Sequence, residues 1–546
     1  MSRPDYHEHE EFINRSQKLA EIRELGVEPY PHKFTPTHFS HELHKQWTGH
    51  EVGNSEDAEL GKTGEVCLAG RLVLFRAMGK NAFGQLQDEH GRIQIMFNRD
   101  HSSVDGYNPE SSSVAQAPSP IKFIEKKLDL GDIIGVKGHL FRTGKGELTI
   151  FVKTVTLLCK TLLPLPDKHS GLSDKEQRYR KRWLDLISNA DVQKRFRTRS
   201  HILRIVRKHF EEQSFLEVET PVIQSIYGGA EAAPFETKLN ALNQHMFLRI
   251  SLEISLKKLL VGGMGRVFEL SKVFRNEGID RTHNPEFTML EAYASYWDYN
   301  DMMHCVETLY EKIALELFGD TKIPYIRNEG EEPVMIDMKA PWARLTVKDA
   351  IKKFGKIDVD QMSDDELREK LSTFPKISAE DAKKLPRGLL IAKLFEETAE
   401  EHLVQPHHII DHPIETTPLC KLHRDPKEKE QGIVERFESF IVGSEACNAY
   451  SELNDPQIQR RLLEDQAEKL EKGDDEANPL DEEFIEAICQ GMPPAGGVGI
   501  GIDRLVMVFT QALSIRDVLY FPWMKPLDHG NHPSEEEASA TEKACT

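Results

Sequence analysis

A run that reads as a strand, EFTMLEAY from Glu286 to Tyr293, carries the first chemistry in this chain. Side chains two apart in a strand share a face, so Phe287, Met289, Glu291 and Tyr293 point the same way. An aromatic plane, a carboxylate and a phenol side by side suit a nucleotide base next to an amine. The bland alternative is an ordinary half-buried strand, which Met289 fits well. Upstream, Val273, Arg275 and Glu277 alternate in the same manner. A guanidinium is a planar fork that holds a phosphate and a carboxylate at once, two like charges that would otherwise repel. A polar loop with His283 separates the two runs. Much later, GGVGIGID delivers Arg504 into the start of an apolar helix. Its glycines lack G-x-G-x-x-G spacing and no βαβ unit surrounds them, so they do not read as a dinucleotide fingerprint. Glycine inside a strand instead marks the close approach of a ligand or a backbone.

A third constellation is RFESFIVGSEACNAYSELNDP, from Arg436 to Pro456. If this is a strand, Asn448, Tyr450 and Glu452 share a face: an amide, an aromatic and a carboxylate, suited to a ligand with a carboxylate, an aliphatic stem and an ammonium. Glu438 and Glu445 fall on opposite faces of one flat strand, but a turn at Gly443–Ser444 would fold them together. Two converging glutamates in a triphosphate site need a cation, and Mg²⁺ is the hard, oxygen-seeking choice. The parity between Glu445 and Asn448 requires a bulge or an approach from the rim. The alternative for the whole stretch is a solvated acidic hairpin.

The elements that must position these groups follow from patterning. A chain of 546 residues exceeds one ordinary core, so two or more domains are expected. Residues 1–60 form a helical and loop-rich extension, with helical spacing over 10–26. Residues 61–160 carry closely spaced strand runs, the signature of a small closed barrel, interrupted at 102–119 by a Ser- and Pro-rich stretch that reads as a mobile surface loop. Residues 161–180 read as a linker stiffened by Pro164 and Pro166. Residues 181–527 form the second domain. It opens with a helix from about Asp191 to Gln213 and a strand, FLEVETP, and includes a helical insertion at about 340–403. Residues 528–546 form an acidic tail expected to be disordered. The formal net charge of −20 weighs mildly against a nucleic-acid partner, since a local basic patch can act on an acidic protein. No apolar run is long enough to span a bilayer, and the charged N-terminus lacks a signal-peptide core, so a cytoplasmic protein with no membrane partner is expected. His407, His408 and His412 favour packing over metal binding, because adjacent strand residues diverge. The seven cysteines include no CxxC pair, which argues against a zinc ribbon or disulfide framework.

FRNEGIDRTHNPEFTMLEAY and GIGIDRLVMVF together resemble the second and third signature motifs of the class II aminoacyl-tRNA synthetases. HNPEFTMLEAY with NAYSELNDP resembles the lysyl-tRNA synthetases among them, over about residues 15 to 526. The resemblance implies an α+β protein: an N-terminal OB-fold barrel and a class II catalytic domain, an antiparallel sheet flanked by helices. It implies ATP contacts from Arg275, Glu277, His283, Phe287 and Arg504. Arg275, Arg504 and His283 are the catalytic positions, with Arg275 joining the α-phosphate to the amino-acid carboxylate. It implies a lysine pocket of Glu253, Arg275, Glu291, Tyr293, Asn448, Tyr450 and Glu452, in which Glu253 takes the α-ammonium and Glu452 with Tyr293 the ε-ammonium. Glu438 and Glu445 are the implied Mg²⁺ ligands. Arg76, Phe83, Gln94 and Glu147 match anticodon-reading positions, with Phe83 as a stacking platform. The partners implied are ATP, L-lysine, tRNA(Lys) and a second copy of the chain, because the helix and strand ending at Pro221 resemble the motif that forms the family's dimer interface.

This chain departs from the family pattern in two places. Ser251-Leu252 stands where Ala-Pro is usual, and GGAEAAPF brings Glu231 and Ala233 into a usual GGA.ARPF. Both lie near the expected amino-acid pocket. The rival readings are another synthetase of the aspartyl/asparaginyl subgroup, and an OB-fold RNA-binding protein with an inactive catalytic domain. An acidic amino acid wants a cationic pocket, whereas Glu253, Glu291 and Glu452 make an anionic one.

Overall fold

The computed structural model describes residues 5–110, 117–166, 172, 174–375, 377–474 and 476–526. The chain divides into two compact units, residues 1–171 and 172–546, with the break inside the 161–180 stretch. The acidic tail expected over 528–546 lies outside the described residues.

In the first unit, strands Glu65–Met78, Asn81–Gln87, Arg92–Asn98, Ile133–Arg142 and Leu148–Cys159 form a sheet that closes on itself. Closure comes from parallel pairing of Gln94–Phe97 with Thr149–Val152, which leaves no open edge between these strands. Alternation sends Leu72, Ile95, Phe97, Ile134, Val136 and Ile150 into the barrel core. The helices Glu10–Glu24 and Ser40–Trp47 add Ile22 and Leu43 to that same core. The stretch 102–119 is only partly the loose loop expected. Ser103–Val104 pairs with Thr154–Val155, and buried Tyr107 donates its hydroxyl to Pro118 O at 2.5 Å. One aromatic anchor outweighs the polar composition around it; residues 111–116 lie outside the described set.

The second unit is built on an eight-stranded sheet. Its strands run in the order Ala343–Thr346, His407–Pro413, Ile433–Ile441, Ser444–Ser451, Ala495–Gly501, Glu286–Ser295, Arg266–Phe274 and Leu216–Glu217. The pairings are antiparallel except at the two edges. Alternation divides the central strand: Leu290, Ala292 and Ala294 enter a core shared with helices Ala190–Glu212, Tyr299–Phe318 and Ile502–Thr510. Met289, Glu291 and Tyr293 face the other way, toward the helix Glu253–Val261. Asp298 starts the Tyr299–Phe318 helix as a capping box with Asp301, and Gly319 ends it in the left-handed conformation at φ 73°.

Three expected elements differ. FLEVETP yields only the two-residue strand Leu216–Glu217, because Thr220 turns its N–H and hydroxyl onto the Glu269 carboxylate, at 3.0 and 2.7 Å, instead of a ladder. The helical insertion starts later than expected, since Ala343–Thr346 is an edge strand parallel to His407–Pro413. An edge strand packs on one neighbour only, so its sequence need not look apolar. The hairpin turn is Val442–Gly443, both at positive φ, and not Gly443–Ser444. His408 spends both ring nitrogens on packing partners, Ser439 Oγ at 2.8 Å and Glu307 Oε1 at 3.1 Å.

Candidate active site

Two adjoining cavities open on the face of the sheet that carries Glu291. The first, about 260 Å³, is lined among others by Glu253, Arg275, Glu291, Tyr293, Tyr450 and Gly497. The second, about 250 Å³, is lined among others by Arg275, Glu277, His283, Phe287, Glu445 and Arg504. Arg275, Met289, Glu445, Asn448 and Gly499 line both.

Arg275 and Glu277 reach this junction from a loop, not from a strand, because the strand expected to run through them ends at Phe274. The Arg275 N–H is fixed to Pro285 O at 2.9 Å. Its guanidinium lies 5.3 Å from the Phe287 ring centroid, and Nε donates one long bond, 3.4 Å, to Ile250 O. Among the described residues no carboxylate lies within ion-pair distance of it, so the two outer nitrogens remain available to ligands in either cavity.

Arg504 is held differently. It donates from Nη1 to the Glu445 carbonyl and carboxylate, both at 3.2 Å, and from Nη2 to His283 Nε2 at 3.1 Å. Arginine only donates, so His283 Nε2 accepts; its proton is therefore assigned to Nδ1, which points to Asp280 Oδ2 at 2.8 Å. Asp280 also accepts from the backbone N–H of Thr282 and His283, which closes the loop. Sequence reasoning missed Asp280, although an Asp followed two and three residues later by the amides it caps is a recognisable turn signal. It also missed Asp503, buried within GIGID. Asp503 takes the Thr288 N–H at 2.7 Å and pairs with Arg199 at 2.6 Å, which ties the start of the Arg504 helix to the central strand.

The Glu445/Asn448 parity is settled by a bulge. Phe440 pairs with Glu445 but Ser439 pairs with Cys447, so Ala446 is the inserted residue. Glu438, Glu445 and Asn448 consequently line the same cavity. Arg436, quoted in the sequence motif but given no role there, binds this group together. It donates to Glu438 Oε1 at 2.6 Å, to Asn448 Oδ1 at 3.0 Å and to Thr416 O at 2.9 Å.

Three carboxylates converge here: Glu253 and Glu291 line the first cavity, and Glu452 is buried behind it. Glu291 accepts from the Ser251 hydroxyl at 2.7 Å and the Leu252 N–H at 2.8 Å on one oxygen, and from Tyr293 OH at 2.9 Å on the other. Burial and then the neighbouring Glu253 charge push its pKa up to about 7, against those hydrogen bonds. The departure Ser251-Leu252 thus has a physical consequence: an Ala-Pro pair would supply neither the hydroxyl nor the N–H. The other departure, Glu231, lines the cavity and accepts from Gln466 at 3.3 Å, and burial raises its carboxyl. Glu253 accepts from Tyr450 OH at 2.6 Å on Oε2 and lies 2.5 Å from Lys257 Nζ through Oε1. Tyr293 therefore serves Glu291, and Tyr450 serves Glu253; neither phenol donates to Glu452.

Glu452 is buried behind Gly497. A Cβ on Gly497 would overlap both Glu452 Oε1 and the Tyr293 ring, so the glycine leaves room for this carboxylate directly behind the cavity wall. Glu452 Oε2 forms an ion pair with Lys257 Nζ at 2.5 Å, but neither oxygen of this carboxylate has a hydrogen-bond partner among the described residues. A fully buried carboxylate oxygen with an open valence is costly unless a donor arrives.

The remaining expected residues lie on the barrel. Arg76 is opposite Phe83 in one strand pair, Phe83 opposite Met96 in the next, and Gln94 opposite Thr149 at the seam. Gln94 donates to Thr149 Oγ1 at 2.9 Å, and Phe83 packs on a small cluster that includes Met96 and Phe151. Glu147 is exposed in the turn just before Leu148. All four sit on the outer side of the barrel wall, away from the core residues Leu72, Ile95 and Ile150.

Comparison with known proteins agrees with this geometry. Residues 66–158 match the OB-fold nucleic acid binding domain, and residues 174–525 match the family described as tRNA synthetases class II (D, K and N). A protein of Chlamydia caviae named lysine–tRNA ligase is 57% identical over 533 residues, 97% of this chain and 100% of that relative. Proteins of the same name from Staphylococcus epidermidis and Nostoc punctiforme are each 44% identical over 94% of this chain, covering 97% and 87% of their own lengths. A family match over most of the chain, on a sheet that gathers the motif residues around two cavities, places the chain in the class II tRNA synthetases of the D, K and N group.

Proposed function

We propose that the protein activates L-lysine with ATP and transfers it to the 3′ end of tRNA(Lys), acting as a lysine–tRNA ligase. The observation that carries the reading is a cavity lined at once by the uncommitted Arg275 guanidinium and by the Glu253 and Glu291 carboxylates, with the Glu452 carboxylate buried directly behind its Gly497 wall. A ligand with an ammonium at the end of an aliphatic stem and a carboxylate at its head satisfies both.

In the first step a lysine carboxylate oxygen attacks the α-phosphorus of ATP, and pyrophosphate leaves. Arg275 holds both reacting anions. Phe287 and Arg504 flank the adenine, and Arg504 with His283 meets the outer phosphates in the second cavity. Asn448 lies beside Arg275 on the wall that the lysine head would touch. In the second step the tRNA terminal hydroxyl attacks the adenylate carbonyl and AMP leaves. The protein contributes positioning and charge neutralisation, and no side chain is needed as a dedicated base. Glu438 and Glu445 each commit one oxygen to an arginine, Arg436 and Arg504, which leaves each a hard oxygen free for Mg²⁺. Mg²⁺ held there with phosphate oxygens would supply further neutralisation of the triphosphate.

The outer barrel face with Arg76, Phe83, Gln94 and Glu147 is the proposed anticodon reader. The exposed apolar residues Leu216, Val222 and Ile223 suit a homodimer interface of two copies. The protein is proposed to act in the cytoplasm; among the described residues no helix is long and apolar enough to cross a membrane. The deciding experiment is ATP–pyrophosphate exchange with each amino acid in turn, without tRNA. Exchange with lysine alone is expected. Exchange with aspartate or asparagine, or with none, would overturn the assignment.

A further inference from the structure

Behind the cavity wall that Glu253 and Gly497 form lies a buried cation, Lys257. It stands one helical turn after Glu253, on a helix whose Leu252, Leu256 and Leu260 face the core. Its ammonium lies 2.5 Å from Glu253 Oε1 and 2.5 Å from Glu452 Oε2, with the Tyr450 and Phe484 rings at 5.5 and 6.0 Å. The side chains of Lys257 and Glu452 are both 0% exposed. Burial opposes the charge on Lys257, but Glu253 and Glu452 outweigh it, so the group keeps its proton.

Two consequences follow from this placement. Lys257 occupies one oxygen of each glutamate, and so decides which oxygens remain for a ligand. Both Glu253 oxygens are thus engaged, by Lys257 and Tyr450, whereas Glu452 has an ion pair to Lys257 on Oε2 and no hydrogen bond on either oxygen. Lys257 also sets the charge. Burial raises the carboxyls of Glu291, to about 7, and Glu452, to about 8, and Lys257 is the internal cation that opposes this rise at Glu452. A diamino acid brings two ammonium groups, while its carboxylate is met by Arg275. A monoamino acid brings one, and would leave a buried negative charge unpaired.

We infer that Lys257 is a specificity-determining positioning residue: its two ion pairs hold Glu253 and Glu452 in the one arrangement that meets the second ammonium group of a diamino acid. The inference rests on the lysine reading of the site and deepens it.

The test is ATP–pyrophosphate exchange on the full chain, comparing the native protein with Lys257→Gln and Lys257→Arg, and lysine with methionine. Lys257→Gln is expected to raise the KM for lysine about 10- to 100-fold, the scale of a lost charge-assisted contact. The KM for ATP should stay within about threefold, and the preference for lysine over methionine should fall. A merely structural role would lower the active fraction and so kcat, without moving lysine KM alone. If Lys257→Gln does not fold, Lys257→Arg decides, because its larger cation displaces Glu452 while the charge is kept. A rise confined to lysine KM supports the inference; no change, or equal change in both KM values, overturns it. A native protein that activates no lysine would instead overturn the underlying reading, a result distinct from a native enzyme whose Lys257 variants behave normally.

Discussion

Replacing Arg275 by alanine separates function from folding, and the structure fixes the scale of each. In the unliganded protein this side chain makes one hydrogen bond, 3.4 Å from Nε to Ile250 O, and a contact 5.3 Å from the Phe287 ring. It has no ion pair to lose among the described residues. The cost to the fold is therefore at most about 2 kcal/mol, the value of a partly desolvated cation–π contact and a weak hydrogen bond, offset in part by relief of a partly buried, unpaired cation. During activation the same guanidinium would make two charge-assisted contacts, one to the carboxylate and one to the α-phosphate. At roughly 1.5–3 kcal/mol each, their loss amounts to roughly 3–6 kcal/mol. That corresponds to a fall of about 10²- to 10⁴-fold in kcat/KM for exchange. Thermal unfolding and ATP–pyrophosphate exchange on one preparation measure both quantities. Exchange within tenfold of the native protein would refute the clamp, and a folding loss of several kcal/mol would show that the arginine is structural.

Three further perturbations test other parts of the site. Gly497→Ala places a methyl group against Glu452 Oε1 and the Tyr293 ring, so the KM for lysine should rise at least tenfold in steady-state exchange while that for ATP is little changed. Glu291 has a folded pKa near 7 against an ordinary 4.5, so between these values the native state holds a proton that the unfolded chain does not, and this group lowers stability as pH rises through that window. Glu291→Gln should therefore raise the unfolding midpoint of the unliganded protein at pH 8, by a stability of roughly 3 kcal/mol at most, and weaken lysine activation; a lowered midpoint would contradict the sign. Phe83→Ala should weaken binding of tRNA(Lys) by about 1–3 kcal/mol in a filter-binding titration, and unchanged binding would remove it from the anticodon reader.

How far the site was legible in the sequence depends on which physical rule each residue obeys. Period-two alternation placed Phe287, Met289, Glu291 and Tyr293 on one face, and the structure keeps them there, because a central strand flanked by two others cannot slip by one residue without exposing Leu290 and Ala292. The same rule fails at Glu445. The bulge at Ala446 inserts one residue, so Glu445 and Asn448 share a cavity despite odd spacing, and nothing in the local sequence announces it. Arg275 was legible by type, yet not by conformation, since the strand frays at Phe274 and the loop is held by a backbone bond to Pro285. The barrel strands were legible from spacing, while the ordering of Tyr107 within a polar stretch was not.

Lys257 shows why the rest was hidden. A glutamate followed four residues later by a lysine on a helix ordinarily reads as a solvent-exposed pair worth a few tenths of a kcal/mol. Glu253 and Lys257 have that spacing, and the neighbouring Lys258 does pair at the surface, with exposed Glu483 of another helix. What changes the meaning of the first pair is tertiary. Gly497 lacks the Cβ that would exclude Glu452, and Tyr450 and Phe484 seal the ammonium from water. Segments separated by roughly two hundred residues must meet before a surface-type spacing becomes an interior cation. Selectivity for a diamino acid would then reside less in any motif residue than in how one buried cation arranges two carboxylates, and that arrangement is a property of the assembled pocket.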